Sequence, residues 1–381
     1  MALKYEGCAL FRQRISAATL SGKVLKITKI RQDDEYPGLQ DFEASFLQLI
    51  DKITDGAVIE INETGTSLRY KPGILVGGFT SHDCALSRPI GWYLEGLLSL
   101  APLCKKPLQL ELTGITNDAT DLSVDTIIAV TLPLLRNFGI EGATLQIKKR
   151  GASPKGGGHI EFYCPVMREL KPIYITDVGL VRRIRGTAFC TRISPTIITR
   201  VVDSARSVLN HVIPDVYIHT DHYKGVNGGL SPGYSLSLVA ETTTGAIISA
   251  ERAAIAGAGA GGELPETIGQ EGALLLLEEI SQGGVIDSAH QALVLQLMVV
   301  GPEDVSKIRV GELTDTTIMT LQLLRDAFGV VFKIKAGSES QVKDGLSNAN
   351  TSKNMNSNNE DRSVLLSCLG IGFKNVFRRV T

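Results

Sequence analysis

The sequence has few of the residues that mark a membrane-spanning or base-stacking protein. Aromatic residues make up 6% of the 381 residues, so few rings are available to stack on nucleic-acid bases. No apolar run approaches the roughly 18 residues that cross a bilayer, and the N-terminal stretch lacks an apolar signal core. We therefore expect no membrane partner.

Cysteine is also sparse, and its spacing is uninformative for metal binding. The six cysteines stand singly, with no C-x-x-C pair among them: Cys8, Cys84, Cys104, Cys164, Cys190 and Cys368. Such spacing argues against a disulfide framework or a zinc site and favours buried thiols in a reducing compartment. We accordingly predict no bound metal and no cofactor.

The chain has almost no net charge, yet its charges are unevenly distributed. The formal total is −1, which excludes a globally basic nucleic-acid-binding protein. Between Lys148 and Arg206, however, the sequence has twelve Lys or Arg against four Asp or Glu. A local excess of this kind is typical of a face that binds the phosphate backbone of RNA. A solvated face or a contact with an acidic protein partner remains an alternative.

The length predicts two domains, and 43% hydrophobic residues allow a sizeable core. Strand-like and helix-like periodicities alternate in the order strand, helix, strand, strand at residues 109–113, 125–138, 144–148 and 159–163. Similar signals recur at residues 293–300, 316–328 and 330–335. We predict an α/β (α+β) fold built from repeated β-α-β-β units of about 80–100 residues.

The pattern changes between residues 186 and 284. Helices are predicted at 195–212 and 268–280, and strands at 216–222 and 235–241. We predict a large domain formed by residues 1–185 and 285–381, with a smaller α/β domain inserted at 186–284. A glycine-rich stretch at 257–262 lacks a following GK[ST] and is weak evidence for a nucleotide loop. The asparagine-rich segment 337–362 is predicted to be disordered, with a final strand starting near residue 363.

The most informative segment spans residues 148–159 and reads KKRGASPKGGGH. Three successive glycines allow the backbone to approach a ligand closely, and the flanking cations can hold an anion there. The run KRGASPKGGG resembles the R-x-G-x-x-P-x-G-G-G signature of the RNA 3′-terminal phosphate cyclase family. Arg12 sits where the family has an arginine in its first helix. The I-R at 30–31, the P-G-L at 37–39 and the T-G-I-T-N at 113–117 are similar to further family motifs.

This resemblance covers nearly the whole chain, apart from the asparagine-rich segment. It implies a large domain of three repeated units and a smaller inserted α/β domain. It also implies an ancestral anion pocket bounded by Arg12, Lys149 and Arg150. Together with the basic segment, it yields these candidate RNA- or anion-binding residues: Arg12, Lys149, Arg150, Lys155, Gly156, Gly157, Gly158, Arg182, Arg183, Arg185 and Arg192.

The departures from the family pattern bear on catalysis. Family cyclases use a histidine that ATP adenylylates, and a covalent nucleophile tolerates little displacement. Aligned without a gap through Met298, that position falls on Ala289, and His290 lies one residue late. A one-residue shift would restore His290 as the nucleophile. The family's glycine-rich G-E-G-G-G-Q is replaced here by YEGCALF at residues 5–11, whose bulkier side chains are expected to obstruct nucleotide access.

The pattern resembles a eukaryotic branch of the family that lacks cyclase chemistry. This resemblance implies a non-catalytic nucleolar factor, located in the nucleus and acting in the small-subunit processome. It further implies a role in 40S subunit biogenesis and early 18S pre-rRNA processing, binding pre-rRNA and a nucleolar GTPase, with the protein a monomer outside that complex. Arg325, on the predicted helix 316–328, is a candidate partner-binding residue because arginine is favoured at interface hot spots.

Two catalytic alternatives remain open at this point. One is an RNA endonuclease, which needs general acid–base groups near the 2′-hydroxyl. The local candidates for that chemistry are His219, Asp221, His222 and Lys224, approached by Arg185 or Arg192. Alternation along a strand places His219 and Asp221 on one face and His222 on the other, so the set does not converge. The second alternative is an active ATP-dependent RNA 3′-phosphate cyclase.

Overall fold

Three four-stranded sheets repeat one strand order along the chain in the computed structural model, which describes residues 2–254, 263–337 and 362–376. In each sheet the first two strands are parallel and the remaining neighbours are antiparallel. A helix crosses between the parallel strands, as such pairing requires, and a second helix precedes the closing hairpin. Each repeat therefore has the order β-α-β-α-β-β.

In each repeat, the last two strands pair in the reverse of their order in the chain. From one edge to the other, the first sheet contains Leu3–Glu6, Leu25–Thr28, Leu68–Lys71 and Val58–Ile61. The second sheet contains Gly78–Asp83, Leu108–Gly114, Gly158–Cys164 and Thr144–Lys149. The third sheet contains Tyr174–Ile175, Val305–Val310, Val364–Leu369 and Lys333–Ala336. A two-stranded ribbon pairs Thr54–Asp55 with Ile74–Leu75.

The helices of the three repeats pack against these sheets. The first repeat has the helices Phe11–Ser21 and Asp41–Ile53, and the third has Gln291–Val300 and Asp315–Phe328. The second has Ile90–Leu98 and a continuous helical run made of Val124–Thr126, the π-helical turn Ile127–Thr131, and Leu132–Asn137. Local chemistry sets several of their ends. Gln40 and Glu43 form a reciprocal capping box at the second helix, and Thr314 caps the last one through the Thr317 amide. That helix ends at Gly329, whose φ of 77° suits glycine.

In the order of the chain, a fourth sheet is inserted after the first strand of the third repeat and before the crossover helix of that repeat. In pairing order it contains Val216–Tyr223, Val181–Thr191, Gly233–Thr242 and Ile247–Ala253. The helices Pro195–Leu209 and Pro265–Ser281 pack together, and both pack on the sheet. This part of the chain has its own hydrophobic cluster, including Ile198, Val201 and Leu236, separate from the cluster under the three repeated sheets.

The predicted α/β class, with repeated units and a smaller inserted α/β part, is confirmed. The predicted β-α-β-β unit forms the last four elements of each longer repeat. The domain bounds stay a prediction; the proposed limit at 185/186 falls within the strand Val181–Thr191. Residues 293–300 carry a signal similar to those of the other repeats, and the structure places them in a helix. They belong to the helix Gln291–Val300, which is buried on every side, so its apolar run has no helical period to read.

The described helices include none that is long and apolar enough to cross a membrane. The six cysteines are free thiols, five of them buried and Cys8 half-buried. The glycine-rich stretch 257–262 lies outside the described residues. So does nearly all of the predicted disordered segment, at 338–361.

Candidate functional site

A cavity of about 470 Å³ opens between the repeated body and the inserted sheet. Its walls come from the helix Phe11–Ser21, residues 118–122, the strand Ile247–Ala253, and the turn before the helix Gln291–Val300. The described lining includes one arginine, Arg12, and six carboxylic side chains: Glu95, Asp118, Asp121, Glu251, Glu278 and Glu279. This excess of carboxylates opposes the binding of a polyanion such as a nucleoside triphosphate.

Ala289, the residue that the sequence analysis aligns with the family's nucleophile, lines this cavity. The next residue, His290, turns away into the core and is 0% exposed. Its Nδ1 lies 2.5 Å from Asp287 Oδ1, and its Nε2 lies 2.8 Å from Thr131 Oγ1. Both ring nitrogens are therefore occupied by protein partners. The His290 hypothesis of a shifted nucleophile is wrong, because the ring is buried and does not reach the cavity.

The charge state of this buried pair follows from its surroundings. Burial lowers the pKa of His290, but Asp287, with Glu95 and Glu251 further off, outweighs burial and raises it above the ordinary value. Burial raises the pKa of Asp287, yet His290 and the Ser249 donors bring it below the ordinary value. The pair is thus an internal ion pair that anchors the start of the helix beneath the cavity.

Arg12 lies on the first helix, as the resemblance implies, but its guanidinium is already neutralised. It forms an ion pair with Glu95 and lies 3.3 Å from Asp121, whose other oxygen accepts from Arg88 at 2.8 Å. Its Cζ lies 5.3 Å from the centroid of the Trp92 ring. An incoming phosphate would have to displace two carboxylates from Arg12, so the arginine is poorly suited to bind an anion.

Two of the glutamates that line the cavity are buried. Burial raises the pKa of Glu95, although Arg12 acts in the opposite direction. Burial also raises the pKa of Glu251, although Ser123 and Thr126 donate hydrogen bonds to it. Because Glu251 comes from the inserted sheet and its donors come from the second repeat, the carboxylate ties the two parts together.

The stretch that replaces the family's glycine-rich motif precedes the first helix. Leu10 there has a φ of 52°, in the left-handed region that glycine tolerates best. Leu10 and Cys8 pack against the main hydrophobic cluster, and Arg14 donates to the carbonyl of Gly7 at 2.8 Å. The loop is held by apolar packing and by that bond.

Arg150 is a correction to the predicted anion-binding set. It is 2% exposed, and its guanidinium bonds to both oxygens of Asp125 and lies 3.2 Å from Asp221. Phe189 and Tyr223 flank it, with ring centroids 4.8 Å and 5.7 Å from its Cζ. Burial lowers the pKa of Arg150, but Asp125 and Asp221 raise it by more, so the guanidinium stays charged. Arg150 therefore joins the second repeat to the inserted sheet and cannot contact RNA.

The three glycines of the signature make close backbone contacts with neighbouring segments. Gly156 has a φ of 60°, and a Cβ there would lie 2.9 Å from the backbone of Gly114. A Cβ on Gly157 or Gly158 would meet Leu230 at 2.8 Å or Thr116 at 2.6 Å. Backbone hydrogen bonds also connect this loop to residues 227–230 of the inserted part. The glycines thus serve the docking of two chain segments.

The basic segment is partly neutralised in space by acidic residues from other parts of the chain. Arg183 pairs with Glu241 at 2.7 Å, and Arg185 pairs with Asp215 at 2.8 Å. Arg192 donates through Nε to the Gly229 carbonyl at 2.7 Å. The predicted cations that form no ion pair with any described residue are Lys149, Lys155, Arg182 and Arg192. They are spread over two sheets and their loops, so the predicted single basic face is much weaker than the sequence count implies.

The endonuclease candidates do not converge either. His219 is exposed and its Nε2 lies 3.7 Å from Asp221 Oδ1, while Asp221 also pairs with Arg150. His222 points to the other face, where Nε2 lies 3.2 Å from the Ile193 carbonyl. Lys224 lies beyond the end of the strand. Among the described residues, no group of three or more His, Cys, Asp or Glu side chains is arranged to hold a metal.

Arg325 is exposed on the helix Asp315–Phe328. Its Nε lies 3.5 Å from Asp326 Oδ1. Asp326 is itself held by the Tyr5 hydroxyl, at 3.2 Å, and its carbonyl accepts from Lys23. The helix position is thus fixed from the first repeat, while the guanidinium remains on the surface.

The acidic lining was missed by sequence reasoning. Its six carboxylates come from four separate segments of the chain and carry no common motif, so no local signal identified them.

Comparison with known proteins identifies the family of this chain. A sequence model of the RNA 3′-terminal phosphate cyclase family matches residues 3–334. The chain is 50% identical to the "RNA 3'-terminal phosphate cyclase-like protein" of Homo sapiens, over 98% of this chain and 97% of that protein. It is 40% identical to the "rRNA processing protein rcl1" of Schizosaccharomyces pombe, over 99% of this chain and 98% of that protein. The chain belongs to the RNA 3′-terminal phosphate cyclase family.

Proposed function

We propose that this chain is a non-catalytic factor in rRNA processing. The observation that carries the proposal is that Ala289, which we align with the family's nucleophile, lies at the wall of a cavity lined by six carboxylic side chains. Neither a covalent adenylate nor a bound triphosphate suits such a site. The rRNA-processing part rests on similarity to the fission-yeast protein of that name.

We base the finer role on the resemblance to the eukaryotic branch of the family. The chain acts in the nucleolus, within the small-subunit processome, and supports early processing of the 18S rRNA precursor for the 40S subunit. Its partners are pre-rRNA and a nucleolar GTPase, with Arg325 on the exposed helix as a contact to the GTPase. The exposed guanidinium on a firmly held helix supports this assignment, because arginine at a rigid position loses little freedom on binding.

Depletion of the chain from its own cells tests the proposal. We expect 18S precursors to accumulate, as followed by hybridisation with probes against the precursor spacers, and the wild-type chain and an Ala289→Gly variant to restore processing equally. Purified chain incubated with radiolabelled ATP should remain unlabelled. Normal precursor levels after depletion would contradict the processing role, and a covalent AMP adduct would contradict the non-catalytic one.

A further inference from the structure

The outward face of the third sheet differs from those of the other two repeats. Its strand positions that point away from the helices carry four cations and no carboxylate. In two cross-strand rows these are Lys307 and Lys333, both opposite Ser367, and Arg309 and Lys335, both opposite Leu365. We call these four residues the third-sheet basic face. Each row places its two cations two strand spacings apart, about 10 Å.

The other two repeats provide an internal comparison. The equivalent face of the first sheet also carries four cations, but it mixes signs, since Glu6 and Glu60 lie among them and Arg69 forms an ion pair with Glu60 at 2.8 Å. These four cations are Lys4, Lys26, Arg69 and Lys71. The face of the second sheet carries Asp83, Glu111 and Glu161 beside Lys148, which pairs with Glu161 at 2.9 Å. The same fold therefore tolerates mixed or acidic outward faces, and the third sheet does not need cations for folding.

Protection of a sheet edge explains only part of this pattern. Lys333 and Lys335 lie on an edge strand, where lysine discourages pairing with another chain. Lys307 and Arg309 lie on an interior strand, paired on both sides, where that reason does not apply. Like charges near one another on a sheet oppose folding. Lys26 and Arg69 also lie opposite each other on interior strands, but Glu60 pairs with Arg69 there. The feature that favours a role in binding is therefore the absence of any carboxylate from the third-sheet basic face.

The lysines of this face are available to a ligand. Lys307, Lys333 and Lys335 form no ion pair with any described residue, and both edge-strand lysines are exposed. Tyr174, at the opposite edge, is 69% exposed, and its ring centroid lies 5.5 Å from Lys307 Nζ. A basic surface beside an exposed aromatic ring is the arrangement that single-stranded RNA binding uses.

We propose that the third-sheet basic face binds the phosphate backbone of RNA. Cations two residues apart on a strand are about 7 Å apart, the axial length of two nucleotides of a nucleic-acid strand. The face can therefore contact several phosphates of one strand without reading its bases. This inference rests on the proposed role in rRNA processing, and it names the surface by which the chain holds RNA.

Two charge-matched variants of the full chain test the inference. The first carries Lys307→Gln, Lys333→Gln and Lys335→Gln; the control carries Lys4→Gln, Lys26→Gln and Lys71→Gln on the outward face of the first sheet. Binding of a fluorescein-labelled single-stranded RNA of about 20 nucleotides is measured by anisotropy across a salt series. Thermal unfolding of each variant is measured to check that both remain folded.

We expect the third-sheet variant to lose more than about tenfold in affinity at 0.15 M salt, with the salt slope smaller by about 2. The first-sheet control should keep its affinity within about threefold. Equal losses in both variants, or wild-type affinity in the third-sheet variant, would overturn the inference. A third-sheet variant that loses affinity for polyglutamate but keeps its affinity for RNA would also overturn it, because the face would then bind acidic protein. The depletion experiment measures precursor processing independently of this binding assay. If the third-sheet basic face does not bind RNA, the proposed function can therefore still be tested.

Discussion

His290 Nδ1 lies 2.5 Å from Asp287 Oδ1, and both residues are almost wholly excluded from solvent. The histidine that sequence alignment places beside the catalytic position has thus become part of the core. Removing one partner of a buried ion pair leaves the other charge uncompensated. This relationship makes a direct prediction about stability.

His290→Ala should lower the free energy of unfolding by about 3–5 kcal/mol, measured by denaturant titration near neutral pH. His222→Ala is the control, since that ring is only partly buried and makes one hydrogen bond; it should cost much less. A similar small loss in both variants would show that the His290 pair does not stabilise the fold.

The same pair predicts a pH dependence. The pKa of His290 is raised in the folded state, so its contribution is complete below the unfolded value of about 6.5 and declines as pH rises through the folded pKa. The pKa of Asp287 is lowered, so its contribution is complete above about 3.9 and declines as pH falls through the folded pKa. The stability difference between wild type and His290→Ala should therefore be largest between about pH 4 and 6.5. A difference that grows from pH 7 to pH 9 would contradict this sign.

Restoring a histidine at the aligned position should not restore adenylylation. Ala289→His places an imidazole at the wall of the cavity, but Arg12 remains paired with Glu95 and Asp121 and the lining remains acidic. Incubation with radiolabelled ATP, followed by denaturing electrophoresis, should show no adduct above wild type. A labelled band in Ala289→His would mean that the nucleophile alone was missing and that the acidic lining is no obstacle.

Arg150 should act in stability rather than in RNA binding. Arg150→Met leaves Asp125 and Asp221 without their buried partner, and we expect a loss of about 3–5 kcal/mol in the free energy of unfolding. Arg185→Met, which breaks an exposed pair with Asp215, should change stability little. Per folded molecule, RNA affinity should be the same in Arg150→Met as in Arg185→Met. A selective loss of RNA binding in Arg150→Met would restore the original assignment.

The fold class could be predicted from the sequence, because amphipathic helices such as Asp315–Phe328 and alternating strands such as Gly158–Cys164 carry clear periods. The buried helix Gln291–Val300 has no such period. The count of charges in the basic segment overstates its surface charge for a related reason. Counting within a window omits partners such as Glu241 and Asp215, which topology brings beside Arg183 and Arg185. Pairing in space, which a local charge count does not contain, decides how much charge remains at the surface.

Glycine at position 156 should be required for packing as well as for its backbone angle. Gly156 and Gly22 have φ values of 60° and 66°, but a Cβ on Gly22 would meet nothing within 4 Å, whereas one on Gly156 would lie 2.9 Å from Gly114. Gly22→Ala should therefore cost only the left-handed strain, about 1–2 kcal/mol. Gly156→Ala should cost clearly more in the same denaturant titration. Equal losses would mean that the loop shifts freely and that the close contact has no energetic weight.

Arg325 should matter for partner binding and not for folding. Its side chain is exposed and its nearest acidic group, on Asp326, is 3.5 Å away, so Arg325→Ala should change the free energy of unfolding by less than about 0.5 kcal/mol. Truncation of an arginine anchor at an interface typically costs about 2 kcal/mol or more of binding free energy, roughly a thirtyfold loss of affinity. Binding of the purified nucleolar GTPase, measured by calorimetry, should fall accordingly in Arg325→Ala but not in Gln322→Ala on the same helix. If both variants bind as wild type does, the GTPase contacts another surface, and the rigid support of this helix by Tyr5 and Lys23 serves the fold alone.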